Sequence, residues 1–338
     1  MRVETGTYHP ADMPEEIFST RSFEAPVPTF PVFPDLPLMT GDEVPHAPHL
    51  AVTAEPWPGT VGLWSSAEAG SGFALNRVVA APAIIGLTES PMAAARPGLW
   101  DRGAPLRVRI AGGYLSSAAP GSVLNGANSM AIGDGTSGNW EVFQFASAEL
   151  VAPDTYELSL RLRGQAGTDG VMPPEWPAGS TVVLLDRALQ QIDLAPGARG
   201  LLRHYRIGAT ARGYDDPAVV ARAEAFDGIG LRPYPVSHLI ASGIAGQTVA
   251  AKWVRRTRIE GDTWQPGEVP LGEESEAYLV RIMAGQTIIA EYQEASPSFS
   301  YPPSAQTSDG VTGSFDIAVA QLSSRFGPGP FRRVAIGA

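Results

Sequence analysis

No cysteine occurs among the 338 residues, so neither a disulfide framework nor a thiolate metal site is available, and stability has to come from packing. Long hydrophobic runs are missing as well: no stretch approaches the roughly 18 apolar residues of a membrane-spanning helix. The N-terminus, Met1-Arg2-Val3-Glu4, leads into polar and acidic residues rather than a continuous apolar segment, so no signal peptide is expected. Positive charge is scarce. With 24 Lys and Arg against 35 Asp and Glu the net charge is −11, and direct nucleic-acid binding, which relies on counterions released by paired basic side chains, is not expected.

What is present describes an ordered protein of more than one domain. Apolar residues make up 44% and charged residues 17%, enough apolar surface to offset the entropy of ordering. A length of 338 exceeds what one core usually serves. Gly at 37 and Pro at 31 together reach about a fifth of the chain, and both punctuate short strands better than they sit inside helices. An all-β fold follows.

Residues 1–50 carry Pro26, Pro28, Pro31, Pro34, Pro37, Pro45 and Pro48 interleaved with Phe23, Phe30, Phe33 and Leu36, which reads as an extended arm that buries its aromatics on another surface. From about residue 51 short alternating runs begin. Leu106-Arg107-Val108-Arg109-Ile110 and Leu158-Ser159-Leu160-Arg161-Leu162-Arg163 alternate strictly, which places the leucines of each on one face of a half-buried strand. Val142–Phe145 and the more continuously apolar Thr181–Leu185 read as further strands, the second a central one. Turn-rich stretches between them have the spacing of a barrel or sandwich, so residues 51–231 are expected to form a β-barrel-type region. Two segments stay open between helix and strand: Gly121–Ile132, and Ala218–Phe226, where Asp216-Pro217 resembles a cap followed by a first-turn proline.

Gly230-Leu231-Arg232-Pro233-Tyr234-Pro235 breaks every periodicity and reads as an interdomain connection. Beyond it, residues 232–338 offer strands near Ala250–Val254, Ala277–Met283, Thr287–Tyr292 and Phe315–Ala320, with Ala284-Gly285-Gln286 as a three-residue hairpin loop. This pattern predicts a fibronectin type III-like sandwich with Trp253, Tyr278, Val280, Ile282, Phe315, Ile317 and Val319 inward and Arg281 and Asp316 outward.

Chemistry-bearing motifs are few. Gly133-Asp134-Gly135-Thr136-Ser137-Gly138 matches a phosphate-binding glycine pattern, but a strand-like run follows it and no strand–helix–strand unit surrounds it, so a turn is the expectation. His46 and His49 lie among prolines, where an exposed loop is expected; His9, His204 and His238 are isolated. Asp134, Glu141, Glu149 and Asp154 show no spacing that selects a glycosidase pair and are expected to be solvated. Arg255, Arg256 and Arg258, with Glu260 and Asp262 just beyond, suggest an exposed edge strand protected by charge. Trp57, Trp64, Trp100 and Trp176 suit core aromatics better than sugar-stacking platforms. No catalytic, cofactor-binding or metal-binding residue is assigned.

Several stretches together resemble one family. They are Leu36–Pro48, Pro56-Trp57-Pro58-Gly59, Leu99-Trp100-Asp101-Arg102-Gly103, Leu124–Asn128, Trp140–Phe145, Leu162–Thr168 and Phe326-Gly327-Pro328-Gly329-Pro330. Their number and order are similar to the C-terminal part of the baseplate hub proteins (megatron) of gene transfer agents, relatives of the tail-tip host-specificity proteins of long-tailed phages. The resemblance implies a homotrimeric tail hub of β-barrel and sandwich domains. Its partners would be other baseplate hub and distal tail proteins and a fibre or host-surface glycan receptor. It also implies assembly in the host cytoplasm and residence in the tail of a virion-like particle. The family's glycosidase-like TIM barrel has no counterpart in this sequence, so no enzymatic residue is carried over. A structural, non-enzymatic role without cofactors is the expectation; a carbohydrate-binding module is the rival and a glycan-cleaving enzyme the least favoured reading. A glycan-binding role would call on tryptophans such as Trp57 and Trp264.

Overall fold

Six antiparallel strands close on themselves in the computed structural model, which describes residues 27–259, 261 and 269–337. Going round, they are Trp140–Ala152, Ser129–Gly133, Thr181–Leu184, Ile85–Thr88, Leu106–Ala111 and Thr155–Gln165, which pairs back to the first. Closure satisfies both hydrogen-bonding sides of every strand and leaves no edge for a wrong partner. Leu106, Val108 and Ile110 point into the core and Arg107 and Arg109 out, as alternation predicts. Thr181–Leu184 is paired on both sides, as its apolar run predicts.

The second alternating run departs from expectation. Leu158 lies in the barrel core, but Leu160 has φ +53°, and beyond it the phase reverses. Leu162 therefore packs outside the barrel in a small cluster with Val123 and Ala146, while Arg161 and Arg163 are buried. The three leucines do not share one face of the core. A single left-handed residue is enough to invert every later side chain, since the strand period is two.

Residues 51–231 do not share one core: besides the barrel interior there is a second large one, and a further buried cluster where Val32 and Leu36 pack on Ile85, Trp140, Val142 and Val183 of the barrel wall. The second core lies between two sheets, one of Phe30–Val32, His49–Thr53 and Gln190–Gln191, the other of Val220–Glu224, Arg203–Ala209, Val61–Ser66 and Ala74–Val79. Phe33, Leu50, Leu63, Tyr205, Ile207 and Phe226 meet inside it, with Phe33 5.2 Å from Tyr205 and 5.8 Å from Phe226 between ring centroids. The Pro-rich segment thus supplies a strand and core residues. Pro31 is tolerated because Phe30–Val32 is an edge strand with a single partner. Phe30 stays half exposed, and Phe23 and Pro26 lie outside the described residues. In chain order this unit is interrupted: the barrel strands, from Ile85 to Leu184, fall between its strands Ala74–Val79 and Gln190–Gln191.

Both open segments resolve. Pro120–Leu124 is a short helix and Ser129–Gly133 a barrel strand, so each reading applies to its own half. Val220–Glu224 is a strand paired with Arg203–Ala209, and Asp216 accepts a hydrogen bond from the Ala218 amide (2.9 Å) within a turn rather than capping a helix. Cross-strand pairing overrides a local cap signal worth only about 1 kcal/mol.

Beyond residue 236 three strands (Ser237–Ser242, Val249–Val254, Ser298–Tyr301) face four main strands (Thr287–Glu294, Tyr278–Ala284, Phe315–Ser323, Arg332–Ile336), and a short fifth, Gly327–Pro328, pairs with the end of Phe315–Ser323. Numbered along the domain, the order is 1-2-5 against 4-3-6-7, a fibronectin type III-like sandwich. All seven side chains expected inside are buried, with Trp253 edge-on to Tyr278 at 5.1 Å. Arg281 and Asp316 are half-buried; Arg281 lies over Phe331 at 4.3 Å and donates to Glu291 at 2.7 Å. The hairpin loop is two residues, Gly285-Gln286, since Ala284 pairs with Thr287.

Candidate functional site: the barrel end and its junction with the sandwich

The glycine pattern at 133–138 is the turn between two barrel strands. Asp134 accepts from the Thr136 amide (2.9 Å), the Thr136 hydroxyl (2.6 Å) and Asn139 Nδ2 (2.7 Å). Partial burial pushes its carboxyl up, but the Asn139 and Thr136 hydrogen bonds outweigh that and hold it below the usual range. A strand follows this turn, so no helix N-terminus faces it. His46 Nε2 lies 2.9 Å from the Leu194 carbonyl. His49 is not in an exposed loop: it is buried in the strand His49–Thr53, where desolvation lowers its pKa against the opposing pull of Glu43. His204 and His238 sit in separate strands and His9 lies outside the described residues. Among the described residues no three His, Asp or Glu side chains converge as metal ligands would.

Glu149 is exposed and Asp154 takes φ +55° at a hairpin turn, but Glu141 is not solvated. It is fully buried at one end of the barrel, where Arg163 grips both its oxygens, Nε to Oε1 at 2.7 Å and Nη2 to Oε2 at 2.8 Å. Trp176 Nε1 donates to Oε2 at 2.6 Å and the Gly164 amide to Oε1 at 3.1 Å. Arg163 Nη1 donates to the Ala93 carbonyl at 2.7 Å. Beside it Arg161 pairs with Asp101 at 2.9 to 3.0 Å and donates to the Leu158 carbonyl at 3.2 Å. Two arginines and two carboxylates thus cancel in a dry space, and the bidentate fork fixes the register of the strands that carry them. With four donors on it, Glu141 has no oxygen directed at open space.

The chain leaves this barrel end through a tight turn, Thr168–Gly170, and meets the sandwich there. Thr168 Oγ1 ties the turn to the barrel by accepting from the Val142 amide (2.9 Å) and donating to the Gln165 carbonyl (2.7 Å). Asp169, its side chain 3% exposed, accepts from Arg256 Nη1 at 2.9 and 3.1 Å and from Arg332 Nη2. Glycine is required at the contact. A Cβ on Gly167, already at φ +76°, would fall 2.3 Å from Tyr234, and one on Gly170 2.5 Å from Pro330.

Arg255, Arg256 and Arg258 therefore do not guard an edge. The strand before them, Val249–Val254, is central in its sheet, and the three guanidiniums reach inward. Arg255 donates to the Val269 and Pro270 carbonyls, and Arg258 pairs with Glu273 at 3.0 Å and reaches the Gly230 carbonyl at 3.2 Å. Glu260 and Asp262 lie outside the described residues. Gln321, buried, adds a third clasp: its Nε2 donates to the Tyr234 and Arg256 carbonyls and its Oε1 accepts from the Arg256 amide.

The N-terminal segment grips the same connection from the other side. Asp35, 2% exposed, accepts from the amides of Gly228 (2.8 Å) and Ile229 (2.9 Å), while its own amide donates to the Ser137 carbonyl (2.8 Å) in the barrel. Burial pushes its carboxyl up to about 6 despite those two bonds. Arm, barrel and sandwich all close on residues 228–235.

Trp176 is buried in the barrel core and Trp64 is buried on the outer face of its strand, 6.2 Å from the Tyr214 ring; Trp57 and Trp100 are half-buried against neighbouring clusters, and Trp264 lies outside the described residues. The buried charges at 35, 141, 161, 163 and 169, and the partly buried one at 101, carry no mark in a periodicity reading. Their one signal was position: Asp101, Glu141 and Arg163 fall within the family-like stretches and Asp35, Arg161 and Asp169 directly beside them.

None of the curated proteins matches the chain. Solved structures similar to it include domains d3-d4 of the rat CD45 extracellular region (8% identity, TM-score 0.23, covering 36% of this chain and 55% of that one). The FN1-FN3 domains of chicken CNTN1 are similar at 10% identity and TM-score 0.22, covering 75% and 66%, and domains A168-A170 of titin at 8% and 0.24, covering 93% and 99%. At such scores the fold rests on the strand order given above. Residues 83–183, which span the six-stranded barrel, match the family model described as Rcc01698-like, C-terminal.

Proposed function

We propose that the chain is a structural component of a phage-like tail baseplate, serving in hub assembly, host attachment and DNA delivery without catalysis of its own. The observation that carries this reading is the match of residues 83–183 to the Rcc01698-like, C-terminal family, because its limits coincide with the closed barrel. The ordered baseplate-hub-like stretches along the rest of the chain point the same way. The geometry suits a mechanical part: a barrel without edges, its end locked by paired charges, and a connection held on three sides. Its companions are two further copies of itself, neighbouring hub and distal tail proteins, and a fibre or surface glycan receptor. Mass photometry of the purified chain and electron microscopy of tail particles test the reading. A trimer, and density for this chain at the tail tip, are expected; a protein found free in the cell and never in a particle overturns it.

A further inference from the structure

We infer that Asp169 is a single-residue latch that fixes the sandwich to the barrel, so that the two move as one body until that carboxylate is lost. Domains joined by a polar interface usually move against each other, and here the connection Arg232-Pro233-Tyr234-Pro235 is short but has no secondary structure of its own. What holds it is unevenly distributed. Asp169 stands on the barrel side, and both of its partners, Arg256 and Arg332, stand on the sandwich side, on either side of the same contact. Arg256 also lies over the Tyr234 ring at 5.3 Å, so the latch bears on the connection itself. Gly170 against Pro330 and Gly329 against Pro233 bring the two surfaces too close to admit a cushioning side chain.

The stoichiometry of two cations to one anion sets the expected behaviour. Removing Arg332 leaves an ordinary one-to-one pair and a closed junction. Removing Asp169 leaves both guanidiniums on the sandwich without a partner across the junction, and the attraction that held the two surfaces together is gone. Swinging follows about residues 232–235: Gln321 binds the connection to the sandwich, and what does cross it, the Arg258 bond to the Gly230 carbonyl and the Arg199 guanidinium 6.0 Å over the Phe326 ring, is one hydrogen bond and one loose ring contact. This holds whether or not the chain serves in a tail, so its test is independent of that reading.

The absence of native cysteine makes the test direct. Arg109→Cys on the outer barrel wall and Ser300→Cys on the outer sandwich face, both exposed, take spin labels, and pulsed electron spin resonance reads the distance between them in the full chain. One narrow distance is expected in the parent and in Arg332→Gln, and a distribution at least twice as broad in Asp169→Ala. If Asp169→Ala does not fold, the double change Arg256→Gln with Arg332→Gln cuts the same latch without leaving unpaired cations, and broadening is again expected. A broad distribution in the parent, or a narrow one in whichever latch variant folds, overturns the inference, as does failure of both to fold, since the contact would then be part of the core rather than a latch.

Discussion

Glu141 and Arg163 form the pair whose loss is felt most. Glu141→Ala leaves the Arg163 guanidinium buried with one distant carboxylate, Asp101 at 3.6 Å, and is expected to cost about 3 to 5 kcal/mol in urea unfolding, whereas Glu141→Gln, which keeps an acceptor for Trp176, costs less. An equal loss for both variants would show that charge plays no part. Asp35 gives a different signature. Its pKa is raised from 3.8 to about 6, so the folded protein binds that proton more tightly than the unfolded chain. Its contribution is therefore most favourable below pH 3.8 and is lost as pH rises through 6, by up to about 3 kcal/mol. His49, whose pKa is lowered, works in the opposite sense, losing stability as pH falls below about 6.5, so the comparison has to be made between variants. With Tm followed from pH 4.5 to 7.5, the difference between Asp35→Asn and the parent should grow in favour of the variant as pH rises, by the Asp35 share; parallel curves would remove the group from the account.

Among the elements, the strands Val249–Val254, Tyr278–Ala284 and Phe315–Ser323 carry the sandwich core. Trp253→Ala is expected to cost about 3 to 5 kcal/mol through lost burial and a cavity, read by urea unfolding of the full chain. Arg281→Ala, which loses one partly exposed ion pair, should stay within about 1 kcal/mol. Strands such as these were legible because their large apolar side chains fall at every second position, Tyr278, Val280 and Ile282 or Phe315, Ile317 and Val319, before the bulge at Met283 and the small buried Ala318 and Ala320 blur the pattern. Thr155–Gln165 was legible only as far as Leu160, where one positive φ reverses the phase, and a dihedral angle has no hydropathy. For the same reason Arg161 and Arg163 looked solvated. The fate of Arg256 was hidden because its partner, Asp169, stands 87 residues earlier, and nothing in either neighbourhood announces the other. The short hairpin at Gly285-Gln286 was misjudged by one residue because Ala284 is as compatible with a turn as with a strand end.

At the scale of the molecule, the interrupted unit has a temporal meaning. Phe30–Val32, His49–Thr53, Val61–Ser66 and Ala74–Val79 leave the ribosome before the barrel, but the strands that complete their core, Gln190–Gln191, Arg203–Ala209 and Val220–Glu224, follow about 110 residues later. At 5 to 20 residues per second the first half waits roughly 5 to 20 s for the second, its apolar faces open to chaperones and to other chains. The inserted barrel shortens that wait in space though not in time: once closed, it holds residues 85 and 184 on adjoining strands and replaces a loop of about 100 flexible residues with a rigid bridge. Barrel-destabilising changes such as Glu141→Ala should accordingly lower the yield of soluble full-length chain by more than they lower its equilibrium stability, a gap that pulse-labelling during synthesis would measure. Birth order makes the barrel the internal template on which the rest of the protein is assembled.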